Sequence, residues 1–111
     1  MEGPNMLAGK MVKIRFRRCF ADQKQWIFVG KVAKFTENWV AVNGKGIVVF
    51  KGRKEPVDID QEPRFLVIPR ENIAHIRLLP PDFDLTNIRI EVRQLRIYVK
   101  VPGAPDTSIG E

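Results

Sequence analysis

A strict two-residue alternation near the start of the chain constrains its fold more than any other feature. In KMVKIRFRR, residues 10–18, apolar side chains occupy the even positions from 12 to 16, and basic side chains occupy the odd positions from 13 to 17. This period is typical of a half-buried β-strand with a charged outer face. Further apolar runs have the length of strands rather than of long helices. They lie at 26–35, 39–42, 46–50, 65–68, 72–79 and 88–101.

Glycine, proline and polar residues separate these runs. Gly30 lies within the second run, where a glycine usually marks a bulge or a bend. Asn43-Gly44 predicts a tight turn, because both residues tolerate positive φ. Residues 51–63 carry many charges and two prolines, and we expect them to form an exposed excursion.

The C-terminal part of the chain changes phase. The apolar positions of 88–101 shift from even to odd at Gln94, which predicts a β-bulge near Arg93-Gln94. Residues 102–111 contain two prolines and two glycines, and we expect a loose tail there.

Short strands at this spacing, one of them containing a glycine, predict an all-β fold. We expect a small, strongly bent barrel. A chain of 111 residues has room for one modest core, so a single domain should cover residues 1–111. The core barrel would occupy 7–79, and an additional C-terminal strand or hairpin would occupy 87–101.

Positive charge is concentrated at the start of the chain. Residues 1–34 contain eight basic and two acidic groups, whereas residues 35–111 contain eleven of each, so the whole net charge of +6 lies in the first third. Such asymmetry favours an anionic partner, and nucleic acid before a membrane, because no amphipathic helix accompanies it. The alternative is a solvated strand face that keeps the protein soluble.

Catalytic and metal-binding sites are difficult to build from this sequence. His75 is the only histidine and Cys19 the only cysteine, and neither has a second such residue nearby. The acidic residues of DID, at 58–60, lie among charges and prolines and are typical of a solvated loop. We therefore expect no enzymatic activity, metal, cofactor or small-molecule substrate.

The sequence predicts a cytoplasmic protein without membrane contact. No apolar run approaches the roughly 18 residues that a membrane-spanning helix needs, and the first residues lack the pattern of a signal peptide. A single cysteine excludes an intrachain disulfide, which fits a reducing compartment.

Two strand–turn–strand units resemble the two motifs of the Sm/LSm/Hfq family. FVGKVAKFTENWVAV, residues 28–42, has Gly30 in a strand, an aromatic residue five positions later, a polar turn and a second apolar strand. LVIPRENIAHIRL, residues 66–78, has an apolar strand, a short basic and polar turn, and another apolar strand. The opening GKMVKIRF is also similar to the first strand of the family. The resemblance covers 7–79 with an expanded segment at 44–64, as in a divergent bacterial or phage-type member.

This resemblance implies a strongly bent, five-stranded antiparallel barrel of the Sm-like, SH3 type. Such barrels assemble into a homo-oligomeric ring of about five to seven copies. The strands around the second turn would pair between neighbouring copies, and both turns would face a central pore that holds single-stranded RNA. The RNA-binding residues implied by position are Lys34, Thr36, Glu37, Asn38, Arg70 and Asn72. The implied oligomer interface consists of Leu66, Val67, Ile68, Ile73, Ala74 and Ile76.

The sequence also departs from the family pattern. Thr36 stands where Asp is usual, Val40 where many members have Asn, and Glu71 where many have Gly. Glu71 adds a negative charge near the implied RNA site, which opposes phosphate binding. A ring that serves protein–protein contacts and has lost RNA recognition is therefore the alternative function. Other small barrels, of SH3-like or OB-like type, are the alternative folds.

Overall fold

The computed structural model describes residues 7–17, 26–50, 57–94 and 96–108, and these residues form two antiparallel sheets. A three-residue 3-10 turn, Arg70–Asn72, separates the last two strands of the first sheet. The strands of the first sheet are β1 Met11–Phe16, β2 Trp26–Phe35, β3 Trp39–Val49, β4 Val57–Ile59, β5 Arg64–Pro69 and β6 Ile73–Leu78. Those of the second sheet are β7 Ile90–Arg93, β8 Arg96–Val99 and β9 Thr107–Ser108.

The first sheet has the strand order β4-β3-β2-β1-β6, and β5 pairs with β3 beside β4. Its edges are therefore β6 on one side and the successive strands β4 and β5 on the other. The prediction of an all-β antiparallel fold is confirmed. The sheet is open among the described residues, and a closed barrel is not shown.

The tight turn predicted at Asn43-Gly44 is wrong, because β3 continues through both residues. Gly44 pairs directly with Gly30 of β2. The two strand backbones approach so closely there that a side chain on either residue would overlap the opposite strand. The glycine at 44 therefore serves a close approach between strands rather than a turn.

A β-bulge in β2 interrupts the two-residue alternation of its buried side chains. The register with β3 shifts between Val32 and Lys34, so Val32 and Phe35 face the same side although they are three residues apart. This shift is the physical reason that the apolar pattern of β2 is not a simple alternation.

The two faces of the first sheet are covered by two separate cores. The first core consists of Val12, Ile14, Phe28, Val32, Phe35, Val40, Val42, Ile68 and Ile73. The second core consists of Ile27, Val29, Ile47, Val49, Leu79, Phe83, Val99 and Val101, and it packs the C-terminal part of the chain against the opposite face. β2 is thus buried on both faces, and complete burial of each such side chain stabilises the fold by about 1.5–3 kcal/mol.

The C-terminal segment corrects two predictions. The phase change at Gln94 comes from a hairpin between β7 and β8 and not from a bulge in one strand. Gln94 has φ of 48°, the left-handed conformation that suits such a turn. The expected loose tail is also wrong over 102–108, because β9 pairs with β8. Residues 109–111 lie outside the described residues.

A buried lysine explains why β9 is held in place. Lys13 of β1 is only 1% exposed, and its ammonium group donates to Thr107 Oγ1 at 2.7 Å and to Ser108 O at 2.9 Å. A buried ammonium group needs such acceptors, because an unpaired charge in a core is very costly. The lysine therefore links the first strand of one sheet to the last strand of the other.

The excursion expected at 51–63 is ordered in its second part. β4 pairs with β3, and Asp60 Oδ2 accepts a hydrogen bond from Gly46 N at 2.8 Å. Asp60 also forms an ion pair of 3.1 Å with Arg64. Its carboxylate therefore supports the end of the sheet. Residues 51–56, like Cys19, lie outside the described residues.

Candidate functional site

The two polar turns at 36–38 and 70–72 lie against each other. Arg70 N donates a hydrogen bond of 2.9 Å to Asn38 O. The Arg70 guanidinium donates from Nη1 to Thr36 O and to Glu37 O, each at 3.2 Å. Its Cζ atom lies 4.7 Å from the centre of the Phe35 ring, a cation–π contact. One arginine therefore binds the second turn to the backbone of the first.

Thr36 holds the first turn in its shape. Its hydroxyl accepts hydrogen bonds from Asn38 N at 3.3 Å and Trp39 N at 3.1 Å, and it donates to Trp39 O at 3.0 Å. A threonine hydroxyl has one donor and two acceptor positions, so all of them are occupied within the turn. Among the predicted RNA-binding residues, Thr36 therefore has a structural role.

Arg17 is a member of this site that the sequence did not indicate. It follows the last residue of β1, and its N–H donates to Asn72 O at 2.9 Å. Its Nε donates to Ile73 O at 3.3 Å. The exposed guanidinium thus lies at the second turn. Only the pairing of β1 with β6, which is remote in sequence, brings it there.

Exposed polar side chains surround the joined turns. Lys34, Glu37, Asn38, Glu71 and Asn72 are all exposed. Among the described residues, the side-chain amides of Asn38 and Asn72 have no hydrogen-bond partner, and both residues are exposed. With the two arginines, the site presents three cations against two carboxylates. It can therefore offer phosphate contacts and hydrogen bonds to base edges.

The residues expected at an oligomer interface do not share one environment. Val67 and Ala74 are exposed, and Leu66 and Ile76 are half-buried against the first core. Ile68 and Ile73 are members of that core, with 4% and 9% exposure. Both side chains pack in the chain's own interior, and their assignment to an oligomer interface stays a prediction.

Two exposed apolar side chains on the same strands were not predicted. Phe65 of β5 is 59% exposed and Leu78 of β6 is 55% exposed. Both lie in apolar runs, FLVI and NIAHIRLL, that the sequence alone could not orient. The alternation along β5 shows that Phe65 and Val67 point away from the first core, whereas Leu66 and Ile68 point toward it.

The described ranges contain no group of three His, Cys, Asp or Glu side chains placed to hold a metal ion. Nor do they contain a helix with the length and apolar character needed to cross a membrane.

Comparisons with known proteins find no counterpart of this chain: no family model matches it, and no curated protein or solved structure does.

Proposed function

We propose that this protein is an Sm-like, ring-forming protein of the cytoplasm that binds single-stranded RNA at its two joined turns. The observation that carries the proposal is the bonding of Arg70 to the backbone of residues 36–38. It unites, in one polar surface, the two segments that the family resemblance assigns to an RNA-binding pore. No catalytic step is part of this function.

The arrangement of the strand edges supports assembly. The resemblance implies an edge strand on each side of the second turn, and β5 and β6 occupy these positions. Among the described residues each pairs on one side only, and such edges favour the addition of another strand. β5 of one copy against β6 of the next makes a heterologous contact, which closes into a ring when the rotation permits.

The chemistry of the turns supports RNA as the ligand. Asn38 and Asn72 can hydrogen-bond base edges, and Lys34 and Arg17 can neutralise phosphates. In a ring of about five to seven copies each contact is repeated, so individually weak phosphate contacts reinforce one another.

A second candidate function is a ring that serves protein contacts without RNA. The presence of Glu37 and Glu71 beside the turns favours it, because two carboxylates per copy would oppose a phosphate chain. The occupied hydroxyl of Thr36 favours it as well.

Assembly is tested by measuring mass in solution with light scattering and native mass spectrometry. The wild-type chain should be an oligomer, and Leu78→Asp should shift it toward the monomer. Val92→Asp is the matched control, since Val92 is 58% exposed on the second sheet, away from β5 and β6. A monomeric wild-type protein would rule out the ring.

RNA binding is tested by titrating labelled oligo-U and oligo-A at two salt concentrations. The double variant Lys34→Gln, Asn72→Ala should weaken RNA binding by about tenfold or more. The slope of log affinity against log salt concentration should fall by the amount expected for about one lost phosphate contact. An intact ring that binds neither RNA at low salt would overturn RNA binding and leave the protein-contact ring as the candidate function.

A further inference from the structure

One row of cross-strand neighbours runs over the sheet face opposite the first core. Lys31 of β2 pairs with Asn43 of β3, and Asn43 pairs with Phe65 of β5. Directly opposite residues of antiparallel strands project to the same face, so these three side chains stand side by side. All three are exposed. We refer to Lys31, Asn43 and Phe65 as the outer row.

The polar members of the outer row have no competing partners among the described residues. Neither the Lys31 ammonium nor the Asn43 amide forms a hydrogen bond or ion pair with any described residue. Both residues line a groove of about 430 Å³, whose apolar walls include Pro63 and Leu85. The described residues that line this groove include one cation and no carboxylate. The groove therefore favours an anionic ligand with apolar surface.

The spacing of the outer row suits a nucleotide. Neighbouring strands are about 4.8 Å apart, so Lys31 and Phe65 are separated by about 10 Å across the sheet. Recognition of single-stranded nucleic acid combines a cation for phosphate, an amide for a base edge and an aromatic ring for a base face. The outer row presents these three groups in that order.

The row also lies within reach of the joined turns. Arg70 follows Phe65 by five residue steps, which corresponds to about 17 Å of extended chain. A short single strand bound at the turns can therefore continue along β5 to the outer row.

We propose that the outer row is a second contact site for single-stranded RNA, in which Phe65 stacks on a base, Asn43 hydrogen-bonds its edge and Lys31 binds a phosphate. This inference rests on the proposed function for its class of ligand, but its residues are separate from those of the turns.

The test compares binding of labelled oligo-U and oligo-A by substitutions that change one contact each. Phe65→Leu removes the aromatic face and keeps an apolar side chain, and it should weaken binding by about tenfold. Phe65→Trp should restore it. Val92→Ala is the control, because Val92 has a similar exposure, 58%, on the second sheet, away from β5 and the turns. Lys31→Gln should reduce the salt dependence more than Arg89→Gln, which removes one exposed charge elsewhere.

A photo-crosslink from 4-thiouridine RNA, mapped by mass spectrometry, should reach Phe65 as well as the turns. If Phe65→Leu binds RNA like the wild type while the Lys34→Gln, Asn72→Ala variant loses affinity, the outer row is overturned and the proposed function stands. If instead the Lys34→Gln, Asn72→Ala variant binds RNA like the wild type while Phe65→Leu loses affinity, the outer row is supported and the site at the turns is overturned. Absence of RNA binding by the wild-type protein overturns both.

Discussion

Gly30 and Gly44 face each other across β2 and β3 with no room for a side chain on either residue. A Cβ atom on Gly44 would lie 2.5 Å from the Cα of Gly30, and one on Gly30 would lie 2.8 Å from the Cα of Gly44. The atoms in the way belong to backbone, which cannot move aside without disturbing the strand pairing.

Alanine at either glycine should therefore destabilise the protein. We expect Gly44→Ala to lower the free energy of unfolding by about 3 kcal/mol, as overpacking does in a rigid surrounding. Urea denaturation followed by tryptophan fluorescence measures this loss. Gly46→Ala is the control, because the nearest atoms to its Cβ would be side-chain atoms, Asp60 Oδ2 at 3.1 Å and Phe28 Cδ1 at 3.8 Å. Equal losses at 44 and 46 would contradict the close approach.

Replacement of Lys13 should separate the two sheets. Lys13→Met leaves Thr107 Oγ1 and Ser108 O without their buried donor. We expect it to lower the free energy of unfolding by about 2–4 kcal/mol, and limited proteolysis should cut the C-terminal segment sooner. Lys10→Met, at an exposed position, should change stability by less than about 0.5 kcal/mol. A variant that resists protease like the wild type would show that β9 does not depend on this lysine.

Arg70→Lys should loosen the joined turns although it preserves the charge. A lysine lacks the planar guanidinium that donates to Thr36 O and Glu37 O and lies over Phe35. We expect a loss of about 1 kcal/mol in stability and faster amide hydrogen exchange at Asn38 and Trp39. Arg89→Lys should leave both unchanged. Unaltered exchange in Arg70→Lys would contradict the role of Arg70 in joining the turns.

The second sheet should lose stability at both ends of the pH range. The backbone hydrogen bond from Val101, followed by Lys100 and Arg93, lowers the pKa of Asp106 below its ordinary value of 3.8. A lowered pKa stabilises the fold above pH 3.8, and this contribution disappears as the pH falls through the folded-state value. The hydrogen bond and charge of Asp106, together with Glu91, raise the pKa of Lys100 above 10.5, so that contribution disappears as the pH rises through the raised value.

Urea midpoints measured across pH test this dependence. Asp106→Asn keeps an acceptor for Val101 N but has no charge, so its midpoint should change less than that of the wild type below pH 3.8. Asp82→Asn, at an exposed position, is the control and should follow the wild type. Identical profiles for Asp106→Asn and the wild type would contradict the assignment.

The strands of the first sheet could largely be predicted, because alternation and burial are properties of neighbouring residues. The strand β1 was predicted from its apolar alternation, but its expected charged outer face is wrong at Lys13, which is only 1% exposed. Asn43-Gly44 could not be interpreted correctly, because a close approach to Gly30 and a tight turn demand the same residue types. The sequence around Gln94 is ambiguous for a similar reason. Both a hairpin turn and a bulge shift the apolar residues from even to odd positions, so the pattern cannot distinguish them.

The two turns of the site were found through the order of the strand–turn–strand units. Their bonding through Arg70, and the presence of Arg17 beside them, depend on strand pairs that no local pattern specifies. The sequence did not reveal that Ile68 and Ile73 pack into the first core, because a short apolar strand at a sheet edge has no sequence sign that distinguishes its two faces.

The link between Lys13 and Thr107 has a consequence for the order of events during synthesis. The lysine emerges among the first residues, but its acceptors are 94 residues further along the chain. At a translation rate of 5–20 residues per second, that interval is about 5–20 s. During this time a β1 buried as in the finished fold would hold an ammonium group without these two acceptors. The two hydrogen bonds that Lys13 makes in the finished fold can therefore form only after residues 107 and 108 have been synthesised.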